Sequence, residues 1–305
     1  MQRTSWTFPI ARAMADVALL ALRFAPPPLR TYLTLAGRLG YLPRYRNPRT
    51  FNEKIVWLLR NTKDERRARL ADKLAVKDYV ARVTPEARTP RVITVAGRGE
   101  DLNLTSLPDT CVLKANNGHA RNLILRAPHD HHAIVRQANA WLAQDPSEGL
   151  FPWETHYREI PPRVFIEDFL SEDGHAIPRD YKVHVFHGHA VMLQFVRDEP
   201  GASVSRITMD RDWRTVRGIR SPLPWQVPLH DPHDEPPPRP PELDQLLGIS
   251  ETLAGDVPFV RVDAYIVHGE VFIGELTFSP WGGAVPLPFA LDLALGQRLR
   301  VPFAS

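Results

Sequence analysis

The 305-residue chain is long enough for one large domain or two smaller ones with a substantial core. A hydrophobic share of 43% beside 24% charged residues excludes a disordered chain, and 38 basic against 35 acidic residues leave a net charge of only +3, scattered along the chain, so no nucleic-acid partner is expected. The single cysteine, Cys111, excludes an intrachain disulfide and a thiolate metal cluster, which suits the cytoplasm.

From the amino terminus, apolar residues at positions 10, 14, 17, 21 and 24 have helical spacing. Arg23 interrupts the run, which is too short to span a bilayer, and no small-residue cleavage site follows. An amphipathic helix packed on the domain is expected, with a weak membrane-surface contact through residues 10–24 as the lesser alternative. Thr50-Phe-Asn-Glu53 is a capping-box signature, and the helix after it puts Phe51, Ile55, Leu58 and Leu59 on one face. One further helix is predicted from about Glu65 to Arg82, carrying Asp72, Lys73 and Lys77. On pattern alone Lys73 is a solvated helix charge.

Residues 91–95, 110–115 and 122–126 read as short strands. Lys114 ends the apolar run Cys111-Val-Leu and precedes Asn116-Asn117-Gly118-His119. Such a corner presents a cation and loop amides to phosphates, or it is a strand-end lysine snorkelling to water. His129, His131 and His132 stand at the start of a helix marked by Ile134, Ala138, Trp141 and Leu142, and read as a solvated helix end rather than a zinc site. After Pro161-Pro162, residues 163–170 form a strand running into a polar edge. Residues 180–186 and 189–196 form a hairpin around His187-Gly188, and its second strand is apolar enough to be central. A proline-rich connection (222–241), a helix with Leu243, Leu246, Leu247 and Leu253, a last hairpin and a short closing helix complete the chain. Antiparallel pairs dominate, so the class is α+β, and no Walker, Rossmann, Gly-x-Ser-x-Gly or Cys-x-x-Cys pattern occurs.

The last hairpin, residues 258–283, concentrates polar residues where a structural strand would be apolar. Side chains alternate with period two, so Arg261 and Asp263 share one face and Glu275 and Thr277 share another. The turn decides whether the two sets meet. A two-residue loop, His268-Gly269, pairs Asp263 with Gly274 and points the acids apart. A three-residue loop, His268-Gly269-Glu270, pairs Asp263 with Glu275 and Arg261 with Thr277. Opposed side chains lie with Cβ atoms roughly 4.5–5.5 Å apart, and two carboxylates that close need a cation between them. Mg²⁺ held by carboxylates and substrate phosphates is one reading. A solvated polar strand is the other.

Taken in order, these signals resemble the ATP-grasp superfamily, and more narrowly its TupA-like branch, named for teichuronopeptide biosynthesis. The resemblance rests on Asn47-Pro-Arg-Thr-Phe-Asn-Glu-Lys54, Leu70-Ala-Asp-Lys-Leu-Ala-Val-Lys-Asp-Tyr-Val80, Val112-Leu-Lys114, Phe165-Ile-Glu-Asp-Phe-Leu170, Asp180-Tyr-Lys182, Phe259-Val-Arg-Val-Asp263 and Gly274-Glu-Leu-Thr-Phe-Ser-Pro280. It implies an ATP-grasp fold in which two α+β subdomains with antiparallel sheets clasp ATP. The expected division is a helical arm (1–49), a first subdomain (50–163) and a second (164–305) carrying the metal site. It implies ATP phosphates on Lys73, Lys114 and the loop residues Asn117, Gly118 and His119. Adenine would lie on the hinge Glu167, Asp168, Phe169 and Leu170, and ribose on Asp180. Lys182 and Arg261 would face the transferred phosphoryl group, and Mg²⁺ would be held by Asp263, Glu275 and Thr277.

The implied activity is an ATP-dependent carboxylate–amine ligase working through an acylphosphate. The implied partners are an amine and a small-molecule or glycan carboxylate, such as a uronic acid of a cell-envelope polysaccharide. His119, His156, Arg158 and Arg197 are the candidates for the acceptor pocket. Three departures from the family pattern stand out: Thr277 replaces the usual asparagine, the loop 115–121 carries one glycine together with His119 and Arg121, and the amino-terminal region is short. A polysaccharide glycosyltransferase and a nucleotide-binding scaffold without turnover are the competing functions. The transferase reading lacks a suitable acid motif, because Asp210-Arg-Asp212 reads as a turn.

Overall fold

The structure, a computed structural model, describes residues 26–145, 151–174, 176–197, 205–216 and 237–302. The expected helix at 10–24, most of the proline-rich connection and the last three residues lie outside them. Among the described residues no helix is long and apolar enough to cross a membrane.

Helix α1 (Pro27–Leu39) leads to α2 (Phe51–Asn61), whose capping box forms as expected: Thr50 Oγ1 accepts from Glu53 N, and the Glu53 carboxylate accepts from Thr50 N. The single helix expected over 65–82 is instead α3 (Arg66–Ala71) and α4 (Ala75–Val83). The break is tertiary in origin. Asp72 turns extended (φ −71°, ψ 115°), and its Oδ1 accepts from Leu74 N at 2.8 Å and Asn116 Nδ2 at 3.1 Å. Lys73 N then donates to Asn116 O at 3.0 Å. These bonds outweigh the helical preference of two to three residues, which is a fraction of a kcal/mol each.

Strands β1 (Val92–Ala96), β2 (Thr110–Ala115), β3 (Asn122–Arg126) and β4 (Val164–Asp168) form an antiparallel sheet in the order β1-β4-β2-β3. Helix α5 (His131–Ala143) covers it through Ile134 and Ala138. Strand β4 lies inside this first sheet, although residues 164–305 were expected to form the second subdomain. Strands β5 (Asp180–Phe186), β6 (His189–Arg197), β7 (Ser205–Asp210), β8 (Phe259–Val267) and β9 (Glu270–Thr277) form a second antiparallel sheet, ordered β7-β6-β5-β8-β9. The apolar β6 is an inner strand, as its sequence predicts. Helix α6 (Leu243–Ala254) packs on this sheet, with Leu243, Leu246 and Leu253 buried among Val183, Leu193 and Val262. Burial of leucines to this degree contributes about 1.5–3 kcal/mol each.

The closing helix α7 (Phe289–Arg298) is locked onto α2. The buried Asp292 accepts from Asn52 N, Asn52 Nδ2 and Tyr41 Oη, and Lys54 Nζ donates to Gly296 O and Leu299 O. A Cβ at Gly296 would lie 2.2 Å from Arg49 O, so only glycine permits this approach. The segment Asn47–Lys54 therefore acts in the architecture, tying α7 to α2 and packing Phe51 on Phe259 at the start of β8.

That hairpin departs from expectation in an instructive way. The turn is the two-residue loop, with His268 (φ 51°) and Gly269 (φ 74°) both left-handed and Val267 paired with Glu270. The three-residue loop is thus corrected. Yet Asp263 does pair with Glu275 and Arg261 with Thr277, because a β-bulge between Ala264↔Ile273 and Asp263↔Glu275 adds one residue, Gly274, to β9. The bulge does what the longer loop was expected to do. A Cβ at Gly274 would meet Tyr265 Cε2 at 3.0 Å, which explains the glycine.

Candidate functional site

Strands β5, β8 and β9 bring six of the expected residues onto one face: Asp180, Lys182, Arg261, Asp263, Glu275 and Thr277. Asp263 is buried, with Oδ1 accepting from Arg261 Nε at 2.5 Å and Oδ2 from Arg261 Nη2 at 2.6 Å and Lys182 Nζ at 2.8 Å. Lys182 also pairs with Asp180 at 2.5 Å. Glu275 faces Arg261 Nη2 at 3.5 Å and Lys73 Nζ at 3.3 Å, and accepts from Thr277 Oγ1 at 3.1 Å. Thr277 in turn accepts from Arg261 Nη2 at 3.2 Å. Lys73, Lys182 and Arg261 thus balance Asp180, Asp263 and Glu275. Burial pushes Glu275 up, but Lys73, Arg261, Lys182 and the Thr277 hydroxyl outweigh it and hold it at about 2. Burial raises Asp180, with Asp263 adding and Lys182 opposing, and its Oδ1 has no hydrogen-bond partner among the described residues. Burial lowers Lys182, and Asp263 and Asp180 more than restore it.

Lys73 reaches this group from the break between α3 and α4, not from a helix face, so the expectation of a solvated helical charge is corrected. Its Nζ also donates to Gly118 O at 2.7 Å, tying the loop after β2 to β9. Asn116 is the knot that makes this possible and was not singled out in the sequence. It is buried, and its amide joins Asp72, Pro161 O and Arg163 N. In the same loop Asn117 is buried with Nδ2 unpartnered among the described residues, Gly118 is left-handed and His119 is exposed.

Lys114 is neither solvated nor snorkelling: its Nζ pairs with Glu167 at 2.5 Å. Lys77, left out of the sequence-based set, pairs with the other oxygen of Glu167 at 2.7 Å and donates to Pro90 O. Burial lowers Lys77, opposed by Glu167. The Glu167 side chain is therefore bound inward between two lysines. Asp168 ends the paired segment and holds the exposed Arg91 at 3.0 Å, while Phe169 and Leu170 follow outside the ladder. With Lys114, Glu167, Ile177 and Tyr265, these residues line a cavity of about 450 Å³.

A second cavity of about 290 Å³ opens beside Arg261, Glu275 and Thr277, bounded by Arg38, His119, Phe151, Glu154, Tyr157, Ser279 and Trp281. Of the acceptor candidates whose side chains are described, only His119 lines it. His156 is buried beside Tyr157, with both ring nitrogens unpartnered among the described residues, and burial holds it at about 3. Arg158 points to the surface toward Asp145. In the 3₁₀ helix Thr155–Glu159 successive residues diverge by about 120°, so Tyr157 faces the cavity and its neighbours do not. The side chain of Arg197 lies outside the described residues. Glu154 is the residue the sequence reading missed; no local pattern distinguishes it.

Asp210 and Asp212 lie in the turn after β7, where Asp210 Oδ1 accepts from Asp212 N and Arg214 N, as the turn reading expects. Among the described residues no three His, Cys, Asp or Glu side chains form a metal cage. Two opposed carboxylates and a hydroxyl are an oxygen-only donor set, and they fit a hard cation that keeps phosphate and water ligands, such as Mg²⁺.

The sequence profile described as TupA-like ATPgrasp matches residues 53–300. Comparison with curated proteins gave no significant match. Among solved structures, the D-alanine–D-alanine ligase of Bacillus anthracis is 16% identical, with a TM-score of 0.43 over 75% of this chain and 63% of that one. The L-amino acid ligase of Bacillus licheniformis is 12% identical, with a TM-score of 0.46 over 75% of this chain and 49% of its own. The ATP-grasp ligase PsnB, solved with a precursor variant, Mg and ADP, is 13% identical, with a TM-score of 0.39 over 98% of this chain and 75% of that one. This chain thus spans less than two thirds of the length of the two amino acid ligases. The profile covers most of the chain, and the chain belongs to the TupA-like ATP-grasp family, with two antiparallel sheets and their helices forming an α+β ATP-grasp fold.

Proposed function

We propose that the protein is an ATP-dependent, ADP-forming carboxylate–amine ligase that activates a carboxylate as an acylphosphate and joins it to an amine. The observation that carries this reading is the paired Asp263 and Glu275, ringed by Arg261, Lys182 and Lys73 beside a second cavity. In this reading adenine occupies the cavity bounded by Phe169, Leu170, Ile177 and Tyr265. Asp180 takes the ribose, and Lys114, Lys73 and the loop 116–119 take the phosphates. Mg²⁺ held by Asp263, Glu275 and Thr277 supplies charge neutralisation at the transferring phosphoryl group. Arg261 and Lys182 lie where they can follow that charge as it moves, and their contribution is electrostatic preorganisation. No nucleophilic side chain is required. The carboxylate substrate is placed in the second cavity; a uronic acid or amino acid unit of an envelope polysaccharide is the class that the family relationship suggests. Such a reaction draws on ATP and belongs in the cytoplasm.

The test is ADP and phosphate release with Mg²⁺-ATP against a panel of uronic acids and amino acids, each with and without an added amine. Release that needs both a carboxylate and an amine is expected. Lys114→Ala is expected to weaken ATP binding at least tenfold in a nucleotide titration. Dependence on a nucleotide sugar instead would establish a transferase, and tight ATP binding without ADP release would establish a scaffold.

A further inference from the structure

We infer that Glu154 receives the amine: its carboxylate anchors the incoming ammonium in the cavity beside Glu275 and takes the proton that must leave before nitrogen attacks. This rests on the ligase reading above.

Two carboxylates line that cavity, Glu154 and Glu275. Glu275 is committed to Lys73 and Arg261. Glu154 is held differently, by neutral donors: Ser279 Oγ donates to Oε1 at 2.6 Å and Phe151 N to Oε2 at 2.9 Å. Each carboxylate oxygen has two acceptor positions, so one on each oxygen is left for an ammonium. The group is buried and aimed, not a surface acid. Gly282 keeps the wall open around it: a Cβ there would lie 3.0 Å from Glu154 Oε2 and 2.2 Å from the Phe151 ring.

The charged and titratable neighbours are consistent with this role. Arg38 reaches in from α1, stacked over Phe151 at 5.1 Å, and partly offsets the charge of Glu154. Burial raises Glu154 above the usual carboxylate range, with Ser279, Phe151 N and Arg38 opposing, which makes it a better base. Tyr157 lines the same cavity, and burial, with Glu275 and Glu154 adding, keeps it protonated. His119 lines the same cavity and is the competing base there.

The step balances as follows. An acylphosphate R–CO–OPO₃²⁻ and an ammonium R′–NH₃⁺ give R–CO–NH–R′, HPO₄²⁻ and one H⁺. Glu154 takes the first N–H proton, the C–N bond forms as the C–O bond to phosphate breaks, and the second proton leaves with the phosphate.

The experiment compares two nucleophiles on the carboxylate selected by the panel: hydroxylamine, uncharged at neutral pH, and the panel amine, an ammonium there. In Glu154→Gln the ratio of amide to hydroxamate rate is expected to fall about 10²-fold or more. Raising the pH toward the amine's own pKa is expected to recover the ratio. Should Glu154→Gln fail to fold, Glu154→Asp keeps the charge one methylene back and is expected to lower the ratio less. A merely structural role would lower both rates together and leave the ratio unchanged, which overturns the inference. So does a fall in the ratio seen in His119→Asn but not in Glu154→Gln. Absence of hydroxamate with the unmodified protein would instead sink the ligase reading, and this inference with it.

Discussion

Asp263 is gripped by Arg261 and Lys182 at once, so its loss acts on stability as well as on metal binding. Asp263→Asn removes the carboxylate that Arg261 and Lys182 share and leaves Lys182 to Asp180 and Arg261 to the more distant Glu275, so a cost of about 3 kcal/mol is expected in urea denaturation, together with loss of Mg²⁺-ATP turnover. Glu275→Gln is expected to abolish turnover at a smaller cost, because Lys73 keeps Gly118 O and Arg261 keeps Asp263. His156 and His184 give a second prediction. Burial holds each at about 3 in the folded chain, and both must take up protons on unfolding. Their folded pKa is depressed, so their contribution is fully present above the unfolded value of about 6.5 and is lost as pH falls from there toward 3. At pH 5 each lowers stability by about 2 kcal/mol. Melting temperatures from pH 7.5 to 5 are expected to fall, and less steeply in His156→Gln. Glu275 adds to this only between about pH 4.5 and 2, the window set by its own depressed value.

The β5–β6 and β8–β9 hairpins each turn on a His-Gly pair in left-handed conformation: His187 (φ 48°) with Gly188 (φ 78°), and His268 (φ 51°) with Gly269 (φ 74°). A left-handed non-glycine residue costs about 1–2 kcal/mol, less for asparagine. His268→Asn is therefore expected to stabilise the protein by about 0.5–1 kcal/mol in urea denaturation. His187→Asn is not, because His187 Nε2 accepts from Arg300 N at 2.9 Å and would give up that tie to the end of α7. Helix α7 supplies the converse case. Gly296→Ala drives a methyl group into the Arg49 carbonyl, and a loss of about 3 kcal/mol or more is expected. Nucleotide affinity per folded molecule should be unchanged, since the methyl group meets the backbone of Arg49, Thr50 and Phe51 and no residue of the candidate site.

Across the whole molecule, the site is neutral before any ligand arrives: three cations sit on three carboxylates. A divalent ion must displace them, and they need other anions to go to. ATP phosphates are such anions. Mg²⁺ alone is therefore expected to shift the melting temperature little, while Mg²⁺ with ATP raises it by several degrees, corresponding to about 2.7 kcal/mol at a hundredfold excess over the dissociation constant. A large shift with metal alone would show that the acids are not balanced as described.

The sequence by itself determined the α+β class, the family and the period-two faces of β8 and β9, because alternation and capping are local and need only neighbouring residues. It also carried most of the candidate site, since Lys73, Lys114, Lys182, Arg261, Asp263 and Glu275 stand in ordered motifs. Tertiary structure decided what depended on contacts between distant segments. The bonds of Asn116 broke one expected helix in two and delivered Lys73 to β9. Lys77 and Lys114 meet across Glu167 only because α4, packed on the core of the second sheet through Val76 and Val80, reaches β4 of the first with Lys77, and Glu154 shares a cavity with Glu275 only because the 151–159 segment is tied to Ser279 and Gly282. The acid pair shows both influences at once. Its residues were legible, but a bulge at Gly274, fixed by the ring of Tyr265 above it, brought Asp263 opposite Glu275 where the turn alone would have set them apart.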